Sequence, residues 1–135
     1  PQVLIPGALD VVNFGAEPTV PDKFRIPERL LHVHNPAVTI VRTNLEESRY
    51  LGEIFVEKAN KATGPTAIVL PLKGLSALDA PGQPWENPEN DKALFDAIRE
   101  RVRPDIKLIE VDAAVNDPEF ADAIVAAFRE VWAQR

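Results

Sequence analysis

The stretch AIVLPLKGLSALDAPGQP, residues 67–84, decides the predicted fold. Its apolar start, Ala67 to Pro71, is typical of a buried strand, and it runs directly into a polar loop that contains glycine. In open α/β sheets, ligands bind in the crevice outside the carboxyl ends of the strands. This loop is therefore the first place to look for a site, and its candidate residues are Lys73, Gly74, Ser76, Asp79 and Gly82.

Strands are predicted on both sides of this stretch. Apolar runs at residues 3–5, 38–41 and 106–111 indicate buried strands, and residues 30–34 indicate a brief extended piece. Residues 17–27 contain three prolines mixed with charge, which predicts an irregular connection.

Three helices are predicted from capping residues and apolar spacing. Thr43 or Asn44 has the capping-box spacing to a glutamate, and Gly64 ends this first helix. Asn87 caps a second helix whose first position is a proline, and Asp117 caps a third helix.

The alternation of strands and helices predicts an α/β fold: a mostly parallel sheet with helices on both faces, in a Rossmann-like three-layer architecture. If the strands are parallel, the polar loops that follow them share one edge of the sheet. Those four loops carry Asp10 and Asn13; Arg42 and Thr43; Lys73, Ser76 and Asp79; and Asp112, Asn116 and Asp117.

Length, charge and composition limit the class of protein. A chain of 135 residues is the size of one domain, and its net charge of −6 gives no electrostatic footprint for nucleic acid. The absence of cysteine excludes disulfides and thiolate chemistry within the chain. No apolar run approaches the roughly 20 residues that span a membrane, so we expect a cytoplasmic protein. Methionine is absent and the chain opens with Pro1, so we expect missing upstream sequence.

Arg42 has two interpretations. It stands beside a predicted helix N-terminus, where it could form a phosphate or carboxylate pocket together with Lys73 of the neighbouring loop. Alternatively, Arg42 pairs with a nearby carboxylate, and Asn44, Asn87 and Asp117 serve only as caps. The sequence leaves both interpretations of Arg42 open.

Other catalytic and metal patterns are weak. His32 and His34 would share one strand face and could bind a metal with Asp10 or Asp79, but no further ligand pattern accompanies them. Ser76 could act as a nucleophile with His34 as base, but these residue types are scattered along the chain. Neither GxGxxG nor GxxxxGK[ST] is present. We predict no metal site.

Four motifs in register resemble a known family. They are GALDVVNFG (7–15), HNPAVTIVRT (34–43), PLKGLSALDAPGQP (71–84) with NPENDKALF (87–95), and VNDPEFADA (115–123). This pattern resembles the C-terminal domain of the Tm-one-like ATP-binding proteins. The resemblance implies a two-domain protein that binds ATP mainly at its N-terminal domain. Residues 1–135 would then form a single α/β domain, the second of the two, incomplete at its N-terminal end.

The resemblance also implies a set of site residues and partners. We expect an anionic or nucleotide-like small molecule at the C-terminal edge of the sheet, with the N-terminal domain completing the site. The alternative is an assembly or protein-interaction domain that contacts its own N-terminal domain and sister subunits in a homo-oligomer. Whether a reaction is catalysed stays open, and Lys73 is expected to vary. The ligand-binding candidates are Asp10, Asn13, His34, Asn35, Arg42, Thr43, Gly74, Ser76, Asp79, Gly82, Asn116 and Asp117.

Overall fold

The computed structural model describes all residues, 1–135, as six strands and three α-helices. Two short 3-10 turns lie in the proline-rich connection, which is otherwise irregular as predicted. In chain order the elements are β1 (Gln2–Leu4), β2 (Val11–Phe14), β3 (Leu31–Asn35), β4 (Val38–Arg42), α1 (Leu45–Ala59), β5 (Thr66–Pro71), α2 (Pro88–Arg101), β6 (Lys107–Val111) and α3 (Pro118–Ala133).

A three-stranded parallel sheet of order β1-β5-β6 forms the centre of the molecule. Gln2 of β1 pairs with Thr66 of β5, and every residue of β5 is buried. Because successive side chains of a strand point to opposite faces, Ile68 belongs to the core under α1 and α2, and Ala67 belongs to the core under α3. Helices therefore cover both faces of this sheet.

The helices α1 and α2 pack closely against each other on one face of the sheet. Gly52 of α1 makes this approach possible, because a Cβ atom at this position would lie 2.4 Å from the carbonyl oxygen of Leu94 in α2. The resulting core contains Val56 of α1 and Ile98 of α2, both almost fully buried.

A second sheet of order β2-β4-β3 is antiparallel. The α/β class is confirmed, but half of the strands lie in this separate sheet, and a Rossmann-like three-layer arrangement is not clearly present. Residues 11–14, which we expected in a polar loop, form β2, and β4 is not part of the parallel sheet. A tight turn after Asn35 folds β3 back onto β4, and the distant β2 then pairs with the other edge of β4.

Two of the three predicted caps are confirmed. Asn44 and Glu47 form the reciprocal capping box at the start of α1, and Asn87 accepts a hydrogen bond from a backbone N–H of α2. Asp117 precedes α3, but its carboxylate accepts from the N–H of Ala114 in the preceding loop. No helix combines the length and the apolar character needed to cross a membrane.

Candidate functional site

The loops after the parallel strands and after β4 lie against one another. The backbone N–H of Thr43, after β4, donates to the carbonyl oxygen of Asp10, in the loop after β1, at 2.9 Å. The N–H of Val115, after β6, donates to the carbonyl oxygen of Gly74, after β5, at 3.0 Å. Backbone hydrogen bonds thus join loops that are distant in sequence into one polar region.

Arg42 is the centre of this region, and its side chain is only 3% exposed. Its Nη2 donates to Asp79 at 2.8 Å and to Asp91 at 2.7 Å, its Nη1 donates to Thr43 Oγ1 at 3.2 Å, and its Nε donates to the carbonyl of Trp85 at 3.3 Å. These bonds occupy all but one of the five guanidinium N–H groups. The structure thus bears out the interpretation in which Arg42 pairs with carboxylates.

Burial raises the proton affinity of the carboxylates around Arg42. Burial, with the neighbouring Asp91 carboxylate adding to it, raises the pKa of Asp79 to about 7, although a hydrogen bond from the Leu75 N–H and the charge of Arg42 oppose the shift. Burial also raises the pKa of Asp91, against the hydrogen bond from Arg42. One guanidinium does not fully compensate two desolvated carboxylates, so the pair retains a proton more readily than exposed aspartates do.

Asp10 and Ser76 form a second buried contact next to the triad of Arg42, Asp79 and Asp91. The Ser76 hydroxyl lies 2.6 Å from Asp10 Oδ2, and the other carboxylate oxygen of Asp10 has no partner. Burial raises the pKa of Asp10 in spite of the hydrogen bond from Ser76. This contact brings a hydroxyl and a carboxylate together, but Ser76 has no histidine beside it, so no catalytic triad is present.

Gly74 allows the loop after β5 to fold tightly. Its φ is +132°, and a Cβ atom there would lie 2.7 Å from the carbonyl oxygen of Asp79. The same tight turn brings the N–H of Leu75 to Asp79 Oδ2 at 2.8 Å. Gly74 therefore contributes through its backbone, by placing Asp79 in front of Arg42.

Three predicted site residues lie on the antiparallel sheet, away from the triad. Asn13 is exposed on β2, and His34 is exposed on β3. Asn35 accepts a hydrogen bond from the N–H of Ala37 and stabilises the turn between β3 and β4. The rings of His32 and His34 are 6.3 Å apart, and no group of three or more metal-ligating side chains is present.

The other three predicted residues lie in loops on the side of α2 and α3. Gly82 is exposed with a φ of +78°, and its N–H donates to Glu86 at 2.7 Å. Asn116 is exposed beside the loop contact made by Val115, and Asp117 stabilises its own loop. The structure therefore brings together six of the candidates: Asp10, Arg42, Thr43, Gly74, Ser76 and Asp79.

A cleft of about 230 Å³ opens beside the triad, where the N-termini of α1 and α2 meet. The side-chain amide of Asn90 donates to the carbonyl of Thr43 at 2.9 Å and fixes the start of α2 against the end of β4. We call this space the N-terminal cleft. Its lining residues are Glu28, Arg29, Leu30, Arg42, Thr43, Asn44, Leu45, Asn87 and Asn90.

Arg29 lines the N-terminal cleft with a side chain that is only 9% exposed. Its terminal nitrogens donate to both carboxylate oxygens of Glu47 and to the carbonyl of Arg42, and its guanidinium stacks on the ring of Phe24 at 4.9 Å. The Nε atom is buried without a hydrogen-bond partner. Arg29 therefore holds a fixed orientation and retains an unused donor.

The sequence analysis missed Asp91 and Arg29. Asp91 lies at helical spacing from Leu94, Phe95 and Ile98, on the apolar stripe of α2. A charged residue at such a position indicates a buried ion pair, so the sequence did contain a signal for Asp91. No such signal marked Arg29, which lies in a segment without periodic structure and reaches the cleft only through the tertiary fold.

Comparisons with known proteins agree with the motifs. Residues 1–132 match the model described as "Uncharacterised protein family (UPF0261) C-terminal domain". The chain is 46% identical over 125 residues to a UPF0261 protein of Clostridium tetani and 44% identical over 133 residues to one of Rhizobium meliloti. It is 38% identical over 135 residues to the ToMV resistance protein Tm-1 of Solanum lycopersicum, so the Tm-one-like resemblance is confirmed.

The chain corresponds to a part of each of these relatives. The matches cover 92%, 97% and 97% of this chain, but 30%, 33% and 17% of the three relatives. The chain thus spans a third or less of the length of these relatives.

Proposed function

The chain belongs to the C-terminal domain family of the UPF0261 proteins, and we propose that it binds the anionic group of a small molecule in the N-terminal cleft. The anionic group is a phosphate or a carboxylate. Nucleotide-like molecules are one class of ligand with a phosphate group. The observation that carries the proposal is Arg29, a nine-tenths buried cation in the lining of the cleft, whose buried Nε has no hydrogen-bond partner.

Two helix N-termini support the same ligand chemistry. The helices α1 and α2 both begin at the cleft, and each has a partial positive charge of roughly half a unit at this end. The backbone N–H of Leu45, at the first position of α1, has no partner within the chain. An anion in the cleft would accept hydrogen bonds from these groups without displacing any bond of the triad.

The size and charge of the cleft limit the ligand group. A volume of about 230 Å³ accommodates a phosphate or a small carboxylate with its nearest atoms, and is below the size typical of drug-like ligands. Glu47 fixes the orientation of Arg29, so the ligand would be attracted by the positive charge of the guanidinium while the ion pair stays intact. Arg42 lies in the wall, but Asp79 and Asp91 already balance its charge.

In a protein as long as these relatives, the residues outside this chain would complete the site. We propose that ATP, as implied by the Tm-one-like resemblance, is bound mainly by the N-terminal domain, and that the domains meet near the cleft. A cytoplasmic location belongs to the same proposal. A role in assembly is the alternative function, and the exposed aromatic residues of α3 favour it.

The test is NMR titration of the ¹⁵N-labelled chain with inorganic phosphate, succinate and ATP in separate experiments. We expect at least one of these anions to shift the backbone amide signals of Leu45 and the side-chain amide of Asn90. If none of the three shifts these signals, the proposal is wrong. Comparison among the three distinguishes phosphate, carboxylate and nucleotide ligands.

Arg29→Gln removes the buried cation, and Arg25→Gln, a change at a more exposed arginine of the same segment, is the matched control. We expect Arg29→Gln to weaken binding by at least about tenfold, because charge-assisted hydrogen bonds are the strong ones. Arg25→Gln should bind as the wild type does. Circular dichroism of each variant verifies folding, and unchanged affinity in a folded Arg29→Gln would contradict the proposal.

A further inference from the structure

The helix α3 exposes an apolar stripe on the side that faces away from the sheet. Val125 is 49% exposed, Phe128 44% and Trp132 46%, although each is a large apolar side chain. Ala121 lies on the same line and is also exposed. We call Ala121, Val125, Phe128 and Trp132 the outer stripe. Contiguous exposed apolar residues of this kind mark interaction surfaces.

The core of this chain does not need the outer stripe. Phe120, Ala127 and Val131 form the inner side of α3 and are buried against the parallel sheet. The helix packs mainly on β1, β5 and β6, and the exposure of Val125, Phe128 and Trp132 shows that its outer side is uncovered. The rings of Phe128 and Trp132 lie 5.7 Å apart, and Arg135 stacks on Trp132 at 4.0 Å. The two rings and the guanidinium therefore form one continuous surface.

The spacing of the outer stripe is that of a helix–helix seam. Its members follow one another at intervals of four, three and four residues, as the a and d positions of a heptad do. The partner that fits such a seam is another helix, whose side chains insert between those of α3.

The stripe is complementary to itself when a second α3 lies antiparallel to the first. A two-fold axis between residues 126 and 127 places Ala121 opposite Trp132 of the second copy, and Val125 opposite Phe128. Each small residue then faces a large one, so the layers fill without stacking two tryptophans on each other. A parallel arrangement would instead place identical residues side by side.

Charge agrees with the antiparallel arrangement. Asp122 and Arg129 each follow a d position, so they occupy e positions, and e positions face each other across an antiparallel pair. Asp122 of one copy would therefore meet Arg129 of the other, and symmetry makes this ion pair twice. Two chains with a net charge of −6 thus meet at a place where opposite charges are adjacent.

We propose that two copies of this chain associate through the outer stripes of α3, antiparallel about a two-fold axis. The contact is independent of the N-terminal cleft, which lies on the α1 and α2 side of the parallel sheet. A contact of one helix with another is smaller than the standard stable interface, so we expect a dissociation constant in the micromolar range.

Sedimentation velocity of the chain over a series of micromolar concentrations tests the proposal. We expect a shift from monomer to dimer, and we expect Phe128→Glu to abolish it. Tyr50→Glu is the matched control, since Tyr50 is a 61% exposed aromatic residue on α1. A monomer at every concentration, or a dimer that persists in Phe128→Glu, would overturn the proposal.

Charge exchange tests the antiparallel geometry. Asp122→Arg and Arg129→Asp, each made alone, should weaken the dimer by about tenfold or more, because each places like charges together twice. The double variant with both changes should restore wild-type association. Failure of the double variant to do so, with folding verified by circular dichroism, would contradict the pairing of Asp122 with Arg129 and with it the proposed dimer.

Discussion

Arg42 at the end of β4 and Asp91 in α2 form a buried ion pair of 2.7 Å, although 49 positions separate them in the chain. The pair connects the antiparallel sheet to a helix that packs on the parallel sheet. Asp79 accepts a hydrogen bond from the same nitrogen of Arg42. One guanidinium thus joins three elements, and its removal should affect the fold as a whole.

Arg42→Met should lower the free energy of unfolding by roughly 3–5 kcal/mol, because it leaves two carboxylates buried without a cation. The measurement is urea unfolding at neutral pH. Arg49→Met is the control: Arg49 pairs with Glu100 at 2.9 Å, but both side chains are about half exposed. That change should cost no more than about 1 kcal/mol. Equal losses in the two variants would contradict a structural role for the triad.

The stability that Asp79 contributes should fall as the pH rises. The pKa of Asp79 lies at about 7 in the folded chain, above its ordinary value of 3.8, so the folded state holds the proton more tightly than the unfolded state. The stabilisation is complete below about pH 4 and is lost as the pH rises through about 7. Urea unfolding at several pH values measures this loss, which Asp79→Asn should reduce. A pH dependence of stability that is the same in Asp79→Asn as in the wild type would disprove the prediction.

Gly74→Ala should destabilise the chain by roughly 3 kcal/mol or more, because it combines an unfavourable φ with a Cβ contact of 2.7 Å. Gly82→Ala is the matched change. It has a φ of +78° but nothing within 4 Å of the added Cβ, so only the backbone cost of about 1–2 kcal/mol applies. Thermal unfolding of the two variants separates the cost of the steric contact from the cost of the unfavourable φ. An identical loss of stability in both variants would refute the close approach at Gly74.

Gly52→Ala should be destabilising although alanine is the better helix former by about 1 kcal/mol. The added Cβ would lie 2.4 Å from the Leu94 carbonyl, so α1 and α2 must separate, at a cost of roughly 1–3 kcal/mol. Gly64→Ala meets no atom closer than 3.8 Å and should change stability by less than about 0.5 kcal/mol. Guanidinium unfolding gives both values, and a stabilised Gly52→Ala would show that the helices are not in such close contact.

Local signals in the sequence predicted the helices and the central strand. The spacing of Asn44 and Glu47 predicts the capping box of α1. The apolar run of β5 is long enough to predict a buried strand without further information. The strand β2 was missed because the polar Asn13 interrupts the apolar residues of Val11–Phe14, and its structure depends on pairing with the distant β4. Local sequence patterns do not predict which distant segments pair.

The same distinction holds for the candidate site. The residue types after each strand predicted a polar region, and six of the twelve candidates lie there. Their partners could not be predicted, because Asp91 and Arg29 reach the region from elements that only the tertiary fold brings close. Whether the region binds a ligand stays a prediction that the titration tests.

The pairing of β1 with β5 has a consequence for the order of folding. Gln2 faces Thr66, so β1 must wait for the synthesis of more than sixty further residues before it can pair with β5. The hairpin of β3 and β4 closes through a short turn at Asn35 and can form early. During translation, the antiparallel sheet can therefore assemble on the ribosome while β1 is still unpaired, and closure of the parallel sheet becomes the late, slow step.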